Sequence, residues 1–319
     1  MRDLLGRGSA LARSIVGVLV AVIVMASGPA TFQAGQAGAS TAPKFLLAVG
    51  DSLAAGYQPT DGVSLPPVDA GSGFRDQGYP GSYAADLATK EGLSLVDLGC
   101  PGETTSSMLA TPAEPLCGKL YQAEFGVASQ ISAAETFLSR HSGRVGLVTL
   151  DIGANDLDHC LSGSKVNTAC LASADVSAVK NLARILTSLV AAVHHFDPAA
   201  RIAGMNYYDP FLGFGFSPGG TTGDELAVGS VVATNAFNAE LSATFKKFGV
   251  SVVDVASAFK VDDLTPLVRF DGKTLPEDVA LTCELTWMCP SVAGEAPSIH
   301  PNTVGYRTIA MAFEARLAS

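Results

Sequence analysis

An α/β fold, a parallel sheet wrapped by helices, is predicted for this 319-residue chain by three observations. β-rich apolar runs alternate with helical runs from residue 45 onward, the pattern of strands joined by crossover helices. Three of those runs end in polar, glycine-containing turns, which in open α/β folds face the crevice where ligands sit. The stretch from Val176 to Val193 sets Val179, Leu182, Ile185, Leu189 and Val193 on one face, as a helix lying on a sheet requires.

Five strands are expected, at 45–50, 95–99, 146–152, 201–207 and 251–255. Helices are expected at about 79–91, 126–139, 173–195, 224–247 and 302–317. The stretches 57–78, 209–223 and 258–299, rich in Gly, Pro and Asp, read as long loops, which in a compact domain are more often functional than idle.

Before the first strand, Arg2, Arg7 and Arg13 lead into the apolar run Ile15 to Ala26 and a small-residue site at Ala37-Gly38-Ala39. A charged start, a short apolar stretch and a small-x-small site match a secretory signal. Residues 1–39 are therefore expected to be cleaved, with retention as an uncleaved anchor as the alternative. The remaining 40–319 form one large domain, and no later segment reads as long and apolar enough to cross a bilayer.

The formal net charge is −10, and loss of the leader, with three Arg and one Asp, makes it −12. Such an acidic chain is a poor ligand for nucleic acid or anionic membrane surfaces, so neutral or apolar partners are expected. Its six cysteines are even in number in a chain with an export leader. Their sequence neighbours suggest the staples Cys100–Cys117, Cys160–Cys170 and Cys283–Cys289. Metal ligation is the weaker alternative, because no Cys-x-x-Cys pair occurs and only His159 lies beside any of them.

Chemistry is suggested at four places. Phe45 to Gly50 stops at Gly50-Asp51-Ser52, which sets a serine hydroxyl at a strand's carboxyl end; a helix cap would use the same residues. The run at 146–152 leads into Gly153-Ala154-Asn155-Asp156, where the Asn155 amide could bind a developing oxyanion, or merely stabilise a turn. The run at 95–99 leads into Cys100-Pro101-Gly102, and without a β-carbon the Gly102 N–H can approach a ligand closely. Ser298-Ile299-His300-Pro301-Asn302 precedes the last helix, so His300 could reach over the sheet edge to take a serine's proton, and Asn302 or Thr303 would cap the helix.

These four blocks, in this order across about 250 residues, make the chain resemble the GDSL or SGNH hydrolase family. The cysteine pattern with Thr286-Trp287-Met288-Cys289 looks like its secreted actinobacterial lipase and esterase branch. The resemblance implies a flavodoxin-like three-layer α/β/α sandwich with a central five-stranded parallel sheet, and ester hydrolysis with no metal and no cofactor. It implies Ser52 as nucleophile, His300 as general base, and an oxyanion hole of Ser52 N–H, Gly102 N–H and the Asn155 side chain. Asp51 is expected to shape the turn.

At the position three before the histidine, where the family usually has Asp, this chain has Pro297. The expected substitute is the Pro297 main-chain carbonyl orienting the imidazole, with Glu295 as a weaker one. Phe211, Leu212, Phe214 and Phe216, and separately Val63, Leu65, Pro66 and Pro67, could line an acyl groove or simply pack their own loops. A monomeric, secreted esterase or lipase acting on small-molecule or lipid esters is thus expected, without nucleic-acid binding or stable membrane insertion. The alternatives are a carbohydrate acetylesterase or phospholipase, and a catalytically impaired secreted binding protein.

Overall fold

The computed structural model describes residues 43–58, 81–158, 160–162, 165–166, 168–216, 221–261, 263–289 and 297–319. In chain order it contains β1 (Phe45–Gly50), α1 (Tyr83–Glu91), β2 (Ser94–Asp97), α2 (Thr105–Met108), α3 (Pro115–Phe125), α4 (Gln130–Arg140), β3 (Val145–Asp151), α5 (Ala154–Asp158), β4 (Leu161–Ser162), β5 (Lys165–Val166) and α6 (Thr168–Phe196). There follow β6 (Arg201–Met205), a 3-10 turn (Pro210–Phe216), α7 (Thr221–Lys247), β7 (Ser251–Val253), α8 (Val255–Ala258), β8 (Leu267–Phe270), β9 (Lys273–Pro276), α9 (Glu277–Leu285) and α10 (Thr303–Leu317).

The main sheet is five-stranded and wholly parallel, in the order β2-β1-β3-β6-β7. An inner strand of it, β1, explains the first apolar run. Leu46, Leu47, Ala48 and Val49 are all fully buried, because a parallel strand covered by helices on both faces has no solvent side. On one side α1 and α10 pack together, with the Tyr83 ring stacked on Phe313 at 5.0 Å; α4, α6 and α7 adjoin one another elsewhere. The result is the flavodoxin-like α/β/α sandwich. Strand order reverses direction at β1, so the crevice beyond the carboxyl ends of β1 and β3 is the switch point where such sheets place their sites.

Several boundaries differ from expectation. The second helix was expected over 126–139, but Gly126, at φ 74°, ends the unexpected α3, and Ser129 caps α4 by accepting from Ser132 N–H. The stretch 258–299 is not simply loop: it holds the β8–β9 hairpin and α9. The hairpin signal was Asp271-Gly272, both with positive φ as a type I′ turn demands. Likewise 209–223 contains the 3-10 turn and the start of α7, while most of 57–78 lies outside the described residues. Asn302 is the cap of α10, accepting from Val304 and Gly305 N–H.

Contrary to the sequence reading, one later helix is long and apolar enough to cross a bilayer by length and composition, Ala174–Phe196 within α6. Its apolar stripe is already used: Ala178, Leu182, Ile185, Leu186, Leu189 and Val193 are fully buried, whereas Val179 is only partly so. Lys180, Arg184, His194 and His195 face solvent on the other side. All three disulfides form with the expected partners.

Candidate active site

Ser52 lies in the turn that leaves β1. The strand end beneath it is gripped by a side chain: Gln130 Oε1 accepts from Gly50 N–H at 2.7 Å, and Gln130 Nε2 donates to the Gly50 carbonyl at 2.9 Å. A β-carbon at Gly50 would stand 2.5 Å from the Asp151 carbonyl oxygen, so only glycine permits this approach of β1 to β3. The hydroxyl of Ser52 meets His300 Nε2 at 2.9 Å, bringing together residues 248 positions apart in sequence.

His300 is held from the sheet edge. The segment before α10 is tied by main-chain bonds to the end of α9 and the residues after it: Ser298 N–H to Trp287 O, Trp287 N–H to His300 O, and Asn302 N–H to Leu285 O. Within that partner segment lies the Cys283–Cys289 bridge. Tyr208 donates its hydroxyl to the Ile299 carbonyl at 2.6 Å, and the Tyr57 ring lies 4.4 Å from the imidazole.

The orienting group differs from the one expected. Among the described residues the partner of His300 Nδ1 is the Ser298 hydroxyl, at 3.0 Å, and not the carbonyl of the exposed Pro297. The loop turns so that the side chain two residues before the histidine folds back on the ring. Glu295 lies outside the described residues. With the proton on Nδ1 donated to Ser298, Nε2 is left as the acceptor for Ser52. Burial, with no charge among the described residues to offset it, pushes the His300 pKa down to about 4.

The other two turns meet each other. Asn155 Nδ2 donates to the Glu103 carbonyl at 2.9 Å, which fixes the amide plane and leaves its second N–H to project. Asp156 accepts from both the N–H and the hydroxyl of Thr105, at 2.8 and 2.6 Å, pinning the start of α2. Gly102 adopts φ 75°, a left-handed conformation that suits glycine.

Around Ser52 the N–H groups of Asp51, Leu53, Ala54 and Ala55 all have acceptors, and beside Gly102 so do those of Glu103, Thr104 and Thr105. The N–H groups of Ser52 and Gly102 have none among the described residues. Buried amides are normally paired, so the open N–H of the buried Ser52, with that of the exposed Gly102 also open, marks a place where an acceptor can arrive from outside.

Sequence reasoning missed Gln130, Ser298, Tyr57, Tyr208 and Asp151 because their partners are 2 to 243 positions away and no motif links them. Ser298 alone was visible, standing two residues from the histidine. Of the proposed acyl wall, Leu212 is fully buried, whereas Phe211 and Phe214 are partly exposed and stacked at 6.0 Å. Nothing is described of the Phe216 side chain or of Val63, Leu65, Pro66 and Pro67. Among the described residues no His, Cys, Asp and Glu group could hold a metal.

Fold and site together define an open α/β protein with a hydroxyl–imidazole pair at the switch point of its sheet. The profile of the GDSL-like lipase/acylhydrolase family matches residues 48–308, and the chain belongs to that family, which implies an ester hydrolase. Among solved structures it is similar to a phospholipase A1 from Streptomyces albidoflavus, at 18% identity and TM-score 0.52, covering 86% of this chain and 99% of that one. An extracellular lipase from Streptomyces rimosus is similar at 19% identity and TM-score 0.52, with the same coverage. At such identities the likeness is one of fold. A search of curated proteins finds no match.

Proposed function

We propose that this chain is a secreted serine ester hydrolase that works through an acyl-enzyme, with Ser52 as nucleophile and His300 as general base. The observation that carries the reading is the 2.9 Å contact of Ser52 Oγ with His300 Nε2 at the carboxyl edge of the sheet. His300 takes the Ser52 proton as the oxygen attacks the ester carbonyl. The oxyanion is received by the open N–H groups of Ser52 and Gly102 and by Asn155 Nδ2. The imidazolium then protonates the departing alcohol, and water activated by the same ring releases the acid.

Ser298, lacking a charge, orients the ring while stabilising the imidazolium less than a carboxylate would. Residues 1–39 are proposed as the cleaved export leader of a single domain, 40–319, and three disulfides suit an oxidising compartment. For the substrate we favour acyl esters of lipid character, since the half-exposed Phe211–Phe214 pair follows β6 on the edge where Ser52 sits.

Replacing Ser52 by Ala should abolish hydrolysis of a short-chain p-nitrophenyl ester and covalent labelling by a fluorophosphonate, with the circular dichroism spectrum unchanged. Labelling that persists in that variant would refute the assignment. A panel of acetyl, octanoyl and palmitoyl esters tests the lipid preference; fastest turnover of the acetyl ester would favour the acetylesterase reading.

A further inference from the structure

Beneath Ser52 lie two carboxylates that the reaction itself does not use, Asp51 and Asp151, 2% and 0% exposed. Asp51 Oδ1 accepts from Leu53 N–H at 2.9 Å and its Oδ2 from the Tyr207 hydroxyl at 2.9 Å. Asp151 Oδ2 accepts from the N–H groups of Asp51 and Ala54, at 3.2 and 3.1 Å, and its Oδ1 from the Tyr83 hydroxyl at 2.5 Å. Between them the two side chains take the N–H groups on both sides of Ser52 and leave the Ser52 N–H open. The register of the sheet creates the pair, because Gly50 at the end of β1 stands opposite Asp151 at the end of β3.

The groups facing this pair are the Tyr83, Tyr207 and Tyr306 hydroxyls and, further off, the carboxyls of Asp156 and Glu103. All are phenolic or acidic. Two neighbouring buried carboxylates, with no cation among the described residues to offset them, cannot both ionise near neutrality. Burial pushes Asp51 up to about 6 and Asp151 well above the usual carboxylate range, as such a shared site requires.

We propose that Asp51 and Asp151 hold one proton between them and, as a singly charged clamp, position the Ser52 turn so that its N–H points at the oxyanion. They are positioning residues, and this rests on the acyl-transfer reading above. Loss of the shared proton would set a second charge beneath the turn and spread it, lowering kcat rather than raising KM.

The test uses the full mature chain. At about pH 8.5, above the pKa of about 7 to which burial raises Glu103 and Asp209, the infrared spectrum of the wild type should still show a protonated carboxyl band. Asp151→Asn, whose amide hydrogens cannot titrate, should remove that band and keep kcat at neutral pH within about fivefold, since it supplies acceptor and donor alike. Asp151→Ala should lose on the order of 100-fold in kcat at nearly constant KM, comparable to loss of an oxyanion donor.

A wild-type spectrum without the band, or one that Asp151→Asn leaves intact, overturns the proposal; so does unchanged kcat in Asp151→Ala. Should the alanine variant fail to fold, the band and the Asn variant still decide. Ser52→Ala must retain the band whether or not it retains activity, which separates a failure of the clamp from a failure of the nucleophile assignment.

Discussion

Ser52 and His300 meet at 2.9 Å, yet the two sides of that contact are built from different material. The serine side is sheet: β1 is buried from Leu46 onward, its last residue is gripped by Gln130, and its turn rests on Asp51 and Asp151. The histidine side is loop, fastened by three main-chain bonds, one disulfide and two tyrosines. A nucleophile whose backbone N–H also receives the oxyanion must be rigid in both hydroxyl and amide, and only the core gives that. A base that must first take a proton and then return it needs one ring orientation, which a stapled loop can supply.

The largest effect should come from removing the base. His300→Ala should lower kcat by on the order of 10⁴ or more with the fold retained, because the part-buried ring sits on a loop rather than in the sheet core. A loss below tenfold in steady-state assays would show that another group takes the serine proton. Next comes the oxyanion side. Asn155→Ala should cost about 10²–10³ in kcat with little change in KM, about 3–4 kcal/mol, if its free N–H meets the transition state alone.

Opening the Cys283–Cys289 staple by paired Ser substitutions should lower stability by about 2 kcal/mol for so short a loop, measured by chemical denaturation. The same variant should lose catalytic rate about tenfold, through a looser His300, while fluorophosphonate labelling of Ser52 slows in parallel. A fall in stability with full activity would mean the main-chain bonds alone hold the base.

The smallest effect is one of pH. In its proposed role as base His300 acts only when neutral, and burial holds its pKa down at about 4 instead of 6.5. The acid limb of kcat/KM should therefore lie near pH 4, with activity lost as the pH falls through that value. Ser298→Asp would set a carboxylate against Nδ1, favour the imidazolium and move that limb upward toward neutrality. An acid limb already at 6.5 in the wild type would show that a charge reaches the ring after all.

Much of the arrangement was legible along the chain because its signals are local. A buried parallel strand must be apolar throughout, so β1 and β3 announced themselves, and the turns Gly50-Asp51-Ser52 and Gly153-Ala154-Asn155-Asp156 followed at their ends. Cysteines 17, 10 and 6 residues apart paired as their proximity suggested. Elements stabilised by tertiary contact were less visible: α3, α9 and the β8–β9 hairpin carry weak apolar periodicity of their own. The apparent membrane-length helix failed in the opposite sense, since composition does not tell a sheet-facing stripe from a lipid-facing one.

By itself the sequence determined the five strands of the main sheet to within about two residues, and that a serine, a glycine and an asparagine follow three of them while a histidine precedes the last helix. Those are consequences of periodicity and turn chemistry, which act over a few residues. Only the tertiary structure decided that Ser298 orients His300, that Gln130 grips Gly50, and that Asp151 lies under the Ser52 turn. Each of these depends on strand register or loop closure, which bring together groups that share no local signal, and on burial, which alone makes two neighbouring carboxyls compete for a proton.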